Sequence, residues 1–177
     1  AMKTNNIASY SDVLVTCMRQ NPKWILLSEV RSAEAVMAVR NSISSGHNIL
    51  STIHADKASS IPVRMYSLLE TNQDVEQFLK TIHRYVQLGV MIRGYQSAQT
   101  GKFVREIAEV TEFYVDDNNE AKSNTIYKKG MDGSVVKHNP TKYLLNYLSA
   151  QGVYIPPDAI TKDELVEQGD NVDILFE

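Results

Sequence analysis

The sequence predicts an α/β fold in which parallel strands are joined by a crossover helix, and residues 24–54 carry that prediction. Residues 24–30 and 48–53 are short apolar runs of strand length, and residues 32–45 between them follow an amphipathic helical pattern. A strand, a helix and a second strand form a βαβ unit, whose strands run parallel and whose crossover is almost always right-handed.

Two ionisable side chains stand at the carboxyl ends of these predicted strands, Glu29 after the first and His54 after the second. In open parallel sheets, ligands bind beyond the carboxyl ends of the strands. If the two strands are neighbours, about 4.8 Å apart, the carboxylate and the imidazole flank one small site. An acid in this position is also common as a plain solvated strand terminus, so the spacing alone leaves both interpretations open.

The helices of this region are predicted from periodicity and from their capping residues. Apolar residues at i, i+3, i+4 and i+7 predict a helix from about Ser9 that stops before Pro22. Ser32 is a suitable cap for the crossover helix, and Gly46 is a suitable residue to end it.

Two further helices and a β-hairpin are predicted downstream. Ser60 and Asn72 mark the candidate helix starts. The residues expected to face inward are Ile61, Met65, Leu68 and Leu69 in the first helix and Val75, Phe78, Leu79 and Ile82 in the second. Alternation over residues 88–93, a break over 97–101 and a strand-like run over 103–115 predict the hairpin.

Beyond residue 115 the structural signals weaken. A weak strand is predicted at 124–128, and Asn139-Pro140 predicts the start of a last clear helix. The tail from Pro156 has little apolar mass and many acids. We therefore expect an α/β domain over residues 1–115 and a carboxyl-terminal appendage, with one helix and an acidic tail, over residues 116–177.

Composition narrows the classes of function. The 177 residues are 43% hydrophobic, which is enough for one domain with its own core, and the formal net charge is −3. The absence of a basic run argues against direct binding to a nucleic-acid backbone. Cys17, the single cysteine, falls on the apolar face of a predicted helix, which favours a buried reduced thiol over a nucleophile.

The chain lacks a glycine-rich phosphate-binding loop. Nucleotide enzymes of this architecture hold phosphates in a loop of the pattern G-x-x-x-x-G-K-[ST], whose backbone amides surround the phosphate oxygens. Here Gly101-Lys102 is followed by Phe103, and the other glycines are scattered. The sequence therefore places an acid and a histidine at one sheet edge without supplying a phosphate cradle.

Four ordered elements resemble the secretion ATPase superfamily, the motors of type II and type IV secretion, type IV and Tad pili, and conjugation. They are residues 17–22, residues 24–31, Ser45-Gly-His47 and residues 51–55, and Arg64 follows them. The resemblance implies a RecA-like P-loop NTPase core fragment with the Walker B motif and the histidine box, and with the Walker A loop upstream in a longer polypeptide. Residues 86–115 are similar to the Tad-pilus and conjugation branch.

The same resemblance assigns roles to individual positions. It implies that Glu29 works with Mg²⁺ and water, and that His54 senses the terminal phosphate. The further positions that it places near the nucleotide are Arg31, Thr52, His47 and Arg64, and Arg19 is a candidate subunit contact. His47 is equally suited to cap the preceding helix, and Arg31 and Arg64 are equally suited to exposed salt bridges.

The resemblance also implies cofactors and partners for a full-length parent: ATP and Mg²⁺, a hexameric ring, and an inner-membrane platform protein at the cytoplasmic face of the membrane. For this chain by itself we expect no tight nucleotide binding, because the phosphate cradle is missing. Ser28 replaces the family's usual glycine before the acid, and Lys23 replaces its usual aspartate after proline. These departures leave a non-enzymatic interaction module as the alternative function, with the acidic residues 158–177 as a docking segment.

Overall fold

A computed structural model describes residues 9–69 and 74–156 of the chain. Its elements, in order, are α1 (Tyr10–Arg19), β1 (Trp24–Leu27), α2 (Ala33–Ser44), β2 (Asn48–Ser51), a short 3-10 helix (Ala58–Ser60), α3 (Ile61–Ser67), α4 (Val75–Tyr85), β3 (Leu88–Gln96), β4 (Phe103–Val115), β5 (Ala121–Lys129), β6 (Val135–Lys137) and α5 (Lys142–Ala150). The strands form one two-stranded sheet and one four-stranded sheet with the order β3-β4-β5-β6.

The βαβ unit is present, and its prediction is confirmed. β1 and β2 pair in parallel, with Trp24 opposite Asn48 at one end and Leu27 opposite Ser51 at the other. Both strands are shorter than the predicted runs, because the chain bends away from the ladder directly after Leu27.

The predicted cap of α2 is confirmed, and the helix predicted to start at about Ser9 begins at Tyr10 with Ser9 as its cap. Ser9 caps α1 in a reciprocal pair with Asp12, in which each side chain accepts a hydrogen bond from the other residue's backbone N–H. Ser32 caps α2 by accepting a hydrogen bond from the backbone N–H of Ala35 at 3.3 Å.

Gly46 ends α2 in a left-handed conformation, with φ of 83°. The N–H of Gly46 donates to the C=O of Ile43, and the N–H of His47 donates to the C=O of Ser42. These two bonds satisfy carbonyl groups that the helix end would leave without partners, which is the Schellman arrangement. It is therefore the backbone of His47, rather than its side chain, that closes the helix.

The cap predicted for α4 was wrong. Asn72 lies outside the described residues, and Asp74 caps this helix by accepting a hydrogen bond from the N–H of Gln77 at 3.1 Å. Val75, predicted to face inward, is exposed, because it occupies the first helical position before the packed face begins at Phe78.

The main hydrophobic core lies where α2, α3 and α4 meet. Its buried members include Val36, Val39, Ile43, Met65, Leu69, Phe78 and Ile82. A second, smaller cluster joins Ala38 of α2 to Leu14 of α1 and to Ile25 of β1. Because α2 is buried on both of these sides, it fixes the parallel strands relative to the helices.

The parallel sheet has an open face. Trp24 and Leu26 of β1 and Leu50 of β2 point to this face and are exposed, whereas Ile25 on the opposite face is buried against α2. Parallel sheets are usually covered on both faces, because helices cross over on each side. Within the described ranges no helix covers this one, so it is a surface that further polypeptide can bury.

The face of β3 that carries Gly89 is buried. Leu88 and Ile92 are exposed, and Gly89, which alternates with them, is buried. A Cβ atom at Gly89 would lie 2.8 Å from Cδ1 of Ile61 and 3.0 Å from Cε2 of Phe113. The close approach of α3 to this strand is therefore possible because residue 89 is a glycine and has no side chain.

Residues beyond 115 continue the antiparallel sheet. β5 pairs with β4, and β6 pairs with β5. β5 is longer than the strand predicted at 124–128, and β6 was not predicted. α5 begins at Lys142, with Thr141 as its N-cap residue, rather than at Asn139-Pro140.

Candidate functional site

Glu29 and His54 meet at the carboxyl ends of β1 and β2. Oε1 of Glu29 lies 3.4 Å from Nε2 of His54. The carboxyl side chain is 33% exposed and the imidazole is 93% exposed, so a ligand in solvent can reach both groups. The predicted convergence of an acid and a histidine at one sheet edge is confirmed.

Thr52 holds the two strand ends together next to this pair. The hydroxyl Oγ1 of Thr52 donates to the backbone C=O of Ser28 at 2.5 Å, and the N–H of Val30 donates to the backbone C=O of Thr52 at 2.7 Å. These two bonds lie on either side of Glu29 along the chain. They fix the backbone that carries the carboxylate after the regular strand has ended.

The structure does not bring the other candidate positions to this pair through any direct contact. His47 precedes β2 and so lies at the opposite end of that strand from His54, where its Nδ1 is 3.0 Å from Oγ of Ser45. Arg64 donates from Nη1 to Oγ of Ser67 within α3, at 3.3 Å. Arg31 is exposed just beyond Val30, and Arg19 is exposed at the end of α1.

The chemistry of the pair is that of a carboxylate beside an imidazole in a polar, open setting. A carboxylate accepts hydrogen bonds from water and is an oxygen ligand of the kind that Mg²⁺ prefers. An imidazole N–H can donate to a phosphate oxygen. No group of three or more His, Cys, Asp or Glu side chains with metal-binding geometry occurs among residues 9–69 and 74–156. In this pair, Glu29 is the side chain whose chemistry could serve a metal ion as a ligand.

Glu112 is a buried carboxylate that the sequence did not single out. Its Oε1 accepts hydrogen bonds from Nδ2 of Asn124 and from the N–H of Thr141, at 2.6 and 2.8 Å, and its Oε2 accepts from Oγ1 of Thr141 at 3.1 Å. Burial raises the pKa of Glu112, and these hydrogen bonds oppose part of that rise. Because Thr141 is the N-cap residue of α5, Glu112 joins that helix to the sheet.

A separate cavity of about 340 Å³ opens between α4, the end of β4 and α5. It is lined by His83, Arg84, Gln87, Phe113, Tyr114, Val115, Asp116, Asp117, Asn119, Tyr143, Leu144 and Tyr147, and therefore excludes the Glu29–His54 pair. His83 is half-buried edge-on against Phe113, and burial lowers the pKa of its imidazole.

A family description, "Type II/IV secretion system protein", matches residues 2–129 of the chain. The chain belongs to this family. The match covers the βαβ unit, the Glu29–His54 pair and the sheet as far as β5, and it ends before β6 and α5.

Relatives of this type II/IV secretion system protein include an uncharacterized protein of Bacillus anthracis, 28% identical over 122 residues, which are 64% of this chain and 27% of that protein. The protein transport protein HofB homolog of Haemophilus influenzae is 36% identical over 59 residues, which are 33% of this chain and 13% of the homolog. The chain thus spans about a quarter or less of the length of these relatives.

Two solved structures are similar in fold to this type II/IV secretion system protein. The ATPase DotB of Legionella pneumophila aligns with a TM-score of 0.50 and 16% identity over 62% of this chain and 28% of DotB. DotB of Yersinia pseudotuberculosis aligns with a TM-score of 0.51 and 13% identity, over 63% and 28%. The fold is therefore that of a P-loop NTPase fragment. Among the described residues, no helix is long and apolar enough to cross a bilayer.

Proposed function

We propose that this chain is part of a hexameric traffic ATPase and supplies the edge of the parallel sheet at which ATP is hydrolysed. Glu29 and His54 are the catalytic residues. The observation that carries the proposal is the 3.4 Å approach of Glu29 to His54 at the carboxyl ends of two parallel strands. This is the edge of an α/β sheet at which ligands bind. Membership of the type II/IV secretion family supports ATP hydrolysis as the reaction class.

In this proposal Glu29 orients the water that attacks the terminal phosphate of ATP. A carboxylate is suited to this role because it accepts a hydrogen bond from water and also holds water bound to Mg²⁺. The metal ion, when bound, neutralises charge on the phosphate oxygens. His54 donates a hydrogen bond to the terminal phosphate and thereby senses whether ATP or ADP is present.

Thr52 acts on this site by positioning it. Its hydroxyl group is committed to the carbonyl of Ser28, so the side chain holds the backbone beside Glu29 and is less suited to contact a nucleotide. Arg31, Arg64 and His47 keep their proposed places near the nucleotide only in a complete motor, in which neighbouring subunits add to the site. Arg19, exposed at the end of α1, remains the candidate subunit contact.

The remaining parts of the motor come from further polypeptide. The exposed face of β1 and β2, formed by Trp24, Leu26 and Leu50, supports this, because such a face is normally buried in an α/β protein. The parent would bind ATP and Mg²⁺ through an upstream Walker A loop. It would form a hexamer in the cytoplasm against an inner-membrane platform protein and drive secretion, pilus assembly or conjugation without contacting nucleic acid directly.

Two experiments test the proposal. Calorimetric titration of this chain with Mg-ATP should show no tight binding, because the phosphate cradle is absent from it. In a polypeptide that joins the chain to the upstream Walker A segment of the same gene, Glu29→Gln should lower kcat for ATP hydrolysis by roughly 100-fold or more and change KM little.

Glu76→Gln is the matched control, because Glu76 is exposed on α4, far from the Glu29–His54 pair in sequence, and forms an ion pair with Lys80 one helical turn away. Its kcat should equal that of the parent. If the Glu29 variant hydrolyses ATP as fast as the Glu76 variant, Glu29 is not catalytic, and the interaction-module alternative takes its place.

A further inference from the structure

The cavity between α4, the end of β4 and α5 has an apolar floor and a polar mouth. Phe113 and Leu144, which are 5% and 6% exposed, form the floor. Arg84 and Asn119 are exposed and stand at the mouth. The volume of about 340 Å³ lies at the lower end of the range that small-molecule sites occupy. A cavity with this size and polarity suits a small ligand that has an apolar body and one polar end.

The side wall of the cavity joins α5 to the sheet through stacked aromatic rings. The rings of Tyr114 and Tyr143 are nearly parallel, at 15°, and their centroids are 4.8 Å apart. The hydroxyl of Tyr143 donates to Oδ1 of Asp117 at 2.9 Å, which also ties α5 to the turn after β4. These contacts lie within the protein itself, so the cavity is formed without a ligand.

Arg84 brings a positive charge to the mouth that no acid of residues 9–69 and 74–156 neutralises. The two acids of the lining, Asp116 and Asp117, lie 3.9 and 3.1 Å from lysine Nζ atoms. Arg84 donates from Nη2 to the amide oxygen Oδ1 of Asn119 at 3.2 Å and forms no ion pair in the described part of the chain. Its other N–H groups are open to a ligand, and a carboxylate is the group that a guanidinium binds best.

His83 brings a hydrogen-bond acceptor to the same cavity. Its Nδ1 lies 2.8 Å from the backbone C=O of Leu79, and because a carbonyl only accepts, Nδ1 carries the proton. Burial lowers the pKa of His83, so the ring is neutral at pH 7 and Nε2 holds a lone pair. Within the two described ranges, Nε2 forms no hydrogen bond. A ligand with an N–H or O–H group on its ring would supply the missing donor.

We propose that this cavity binds a small aromatic carboxylate that carries an N–H or O–H donor on its ring. The carboxylate pairs with Arg84 at the mouth, and the ring packs against Phe113 and Leu144 on the floor. The ring donor bonds to Nε2 of His83.

The proposed site is separate from the nucleotide site. Tyr143, Leu144 and Tyr147, which line it, belong to α5, and α5 lies after residues 2–129, to which the family description applies. The lining does not include Glu29 or His54. Binding in this cavity therefore does not depend on the catalytic roles proposed for that pair.

Titration of the full chain with indole-3-acetate, followed by amide chemical shifts in NMR, tests the proposal. This probe has a ring, a ring N–H and a carboxylate, and for its size we expect a Kd of about 1 mM or lower, with the shifts concentrated around the cavity. Indole-3-acetamide, which has no charge, should bind about fivefold more weakly. 1-Methylindole-3-acetate, which has no N–H, should bind about threefold more weakly.

Variants assign these differences to residues. Arg84→Gln should raise the Kd of indole-3-acetate about fivefold and remove most of the difference between the acid and the amide. His83→Phe keeps a ring against Phe113 and should remove the difference between the acid and its 1-methyl analogue. Arg105→Gln is the matched control, because Arg105 is an exposed arginine near the other end of β4 and does not line the cavity. It should leave the Kd unchanged.

The proposal is overturned if no shifts concentrate around the cavity at about 10 mM probe, or if the amide binds as tightly as the acid. It is also overturned if Arg105→Gln weakens binding as much as Arg84→Gln, because the charge would then act without a site. Tighter binding by the peptide Gly-Gly-Trp than by indole-3-acetate would assign the cavity to a polypeptide carboxyl terminus instead. Far-UV circular dichroism establishes that each variant is folded, and the comparison of the three indoles needs no variant.

Discussion

Replacement of the buried Glu112 separates the role of its hydrogen bonds from the role of its charge. Glu112→Ala removes the acceptor of three hydrogen bonds and leaves the buried N–H of Thr141 without a partner. Asn124 keeps one bond, from its Nδ2 to the C=O of Asn139. Glu112→Gln keeps the shape of the side chain and one carbonyl oxygen in place of Oε1, while its amide group can donate to the hydroxyl of Thr141.

The magnitudes follow from these contacts. An unsatisfied buried donor costs about 1–3 kcal/mol, and the cavity left by the alanine adds to that, so Glu112→Ala should lower the free energy of unfolding by roughly 2–4 kcal/mol. Glu112→Gln should lie within about 1 kcal/mol of the unmodified chain at neutral pH, because it retains the hydrogen bonds and avoids burying a charge.

The pH dependence has a definite sign. The pKa of Glu112 in the folded chain is raised above its ordinary value of 4.5 by burial. Its contribution to stability is therefore complete below about that pH and is lost as the pH rises through the higher folded value. The stability of Glu112→Gln relative to the unmodified chain should accordingly improve as the pH rises from 4.5 towards neutral.

Urea unfolding followed by far-UV circular dichroism at pH 4.5 and pH 7 measures both effects. Glu120→Ala is the control, because Glu120 is exposed and an exposed ion pair such as the one it forms with Lys122 contributes little to stability. A Glu112→Ala variant as stable as this control would refute the structural role of Glu112. A Glu112→Gln variant as unstable as Glu112→Ala would show that the charge itself, rather than the hydrogen bonds, holds α5.

Two further predictions concern positions near β2 and β3. Thr52→Val should lower the free energy of unfolding by about 1 kcal/mol, because the hydrogen bond from the hydroxyl to the carbonyl of Ser28 is lost. Thr52→Ser should retain that bond. Equal urea midpoints for the two variants would contradict the role of the hydroxyl. Gly89→Ala should cost about 1–3 kcal/mol in thermal unfolding, because its methyl group meets buried atoms of α3 and β4. Gly94→Ala is its control, because the new methyl group meets chiefly the exposed ring of Phe103, which can move away; similar losses at both glycines would contradict the packing explanation.

The βαβ unit and its site were predictable from sequence because their signals are local. Strand length, the apolar periodicity of α2 and the caps at Ser32 and Gly46 all lie within residues 24–54, and together they place Glu29 and His54 at one edge. The hydrogen bond from the Thr52 hydroxyl to the carbonyl of Ser28 was not predicted, because it depends on the register of two strands that are far apart in sequence.

The predictions were wrong where two neighbouring residues are equally good helix caps, or where a residue's burial depends on a segment distant in sequence. Asn72 and Asp74 are both good capping residues, and the position of the helix against the core decides between them. An acid within a strand ordinarily faces solvent, and Glu112 is buried because Thr141, at the start of α5, lies against it and hydrogen-bonds to it. The short β6 has too few residues for a periodic signal, and it exists because β5 offers it an edge.

The open face of the parallel sheet gives the protein a built-in optical reporter. Trp24 is the single tryptophan of the chain, and it lies on that face with 57% of its surface in contact with solvent. Its fluorescence emission should therefore shift to shorter wavelength when another polypeptide segment covers β1, without any added dye. The wavelength of that emission therefore measures how fully an added segment buries this face of the sheet.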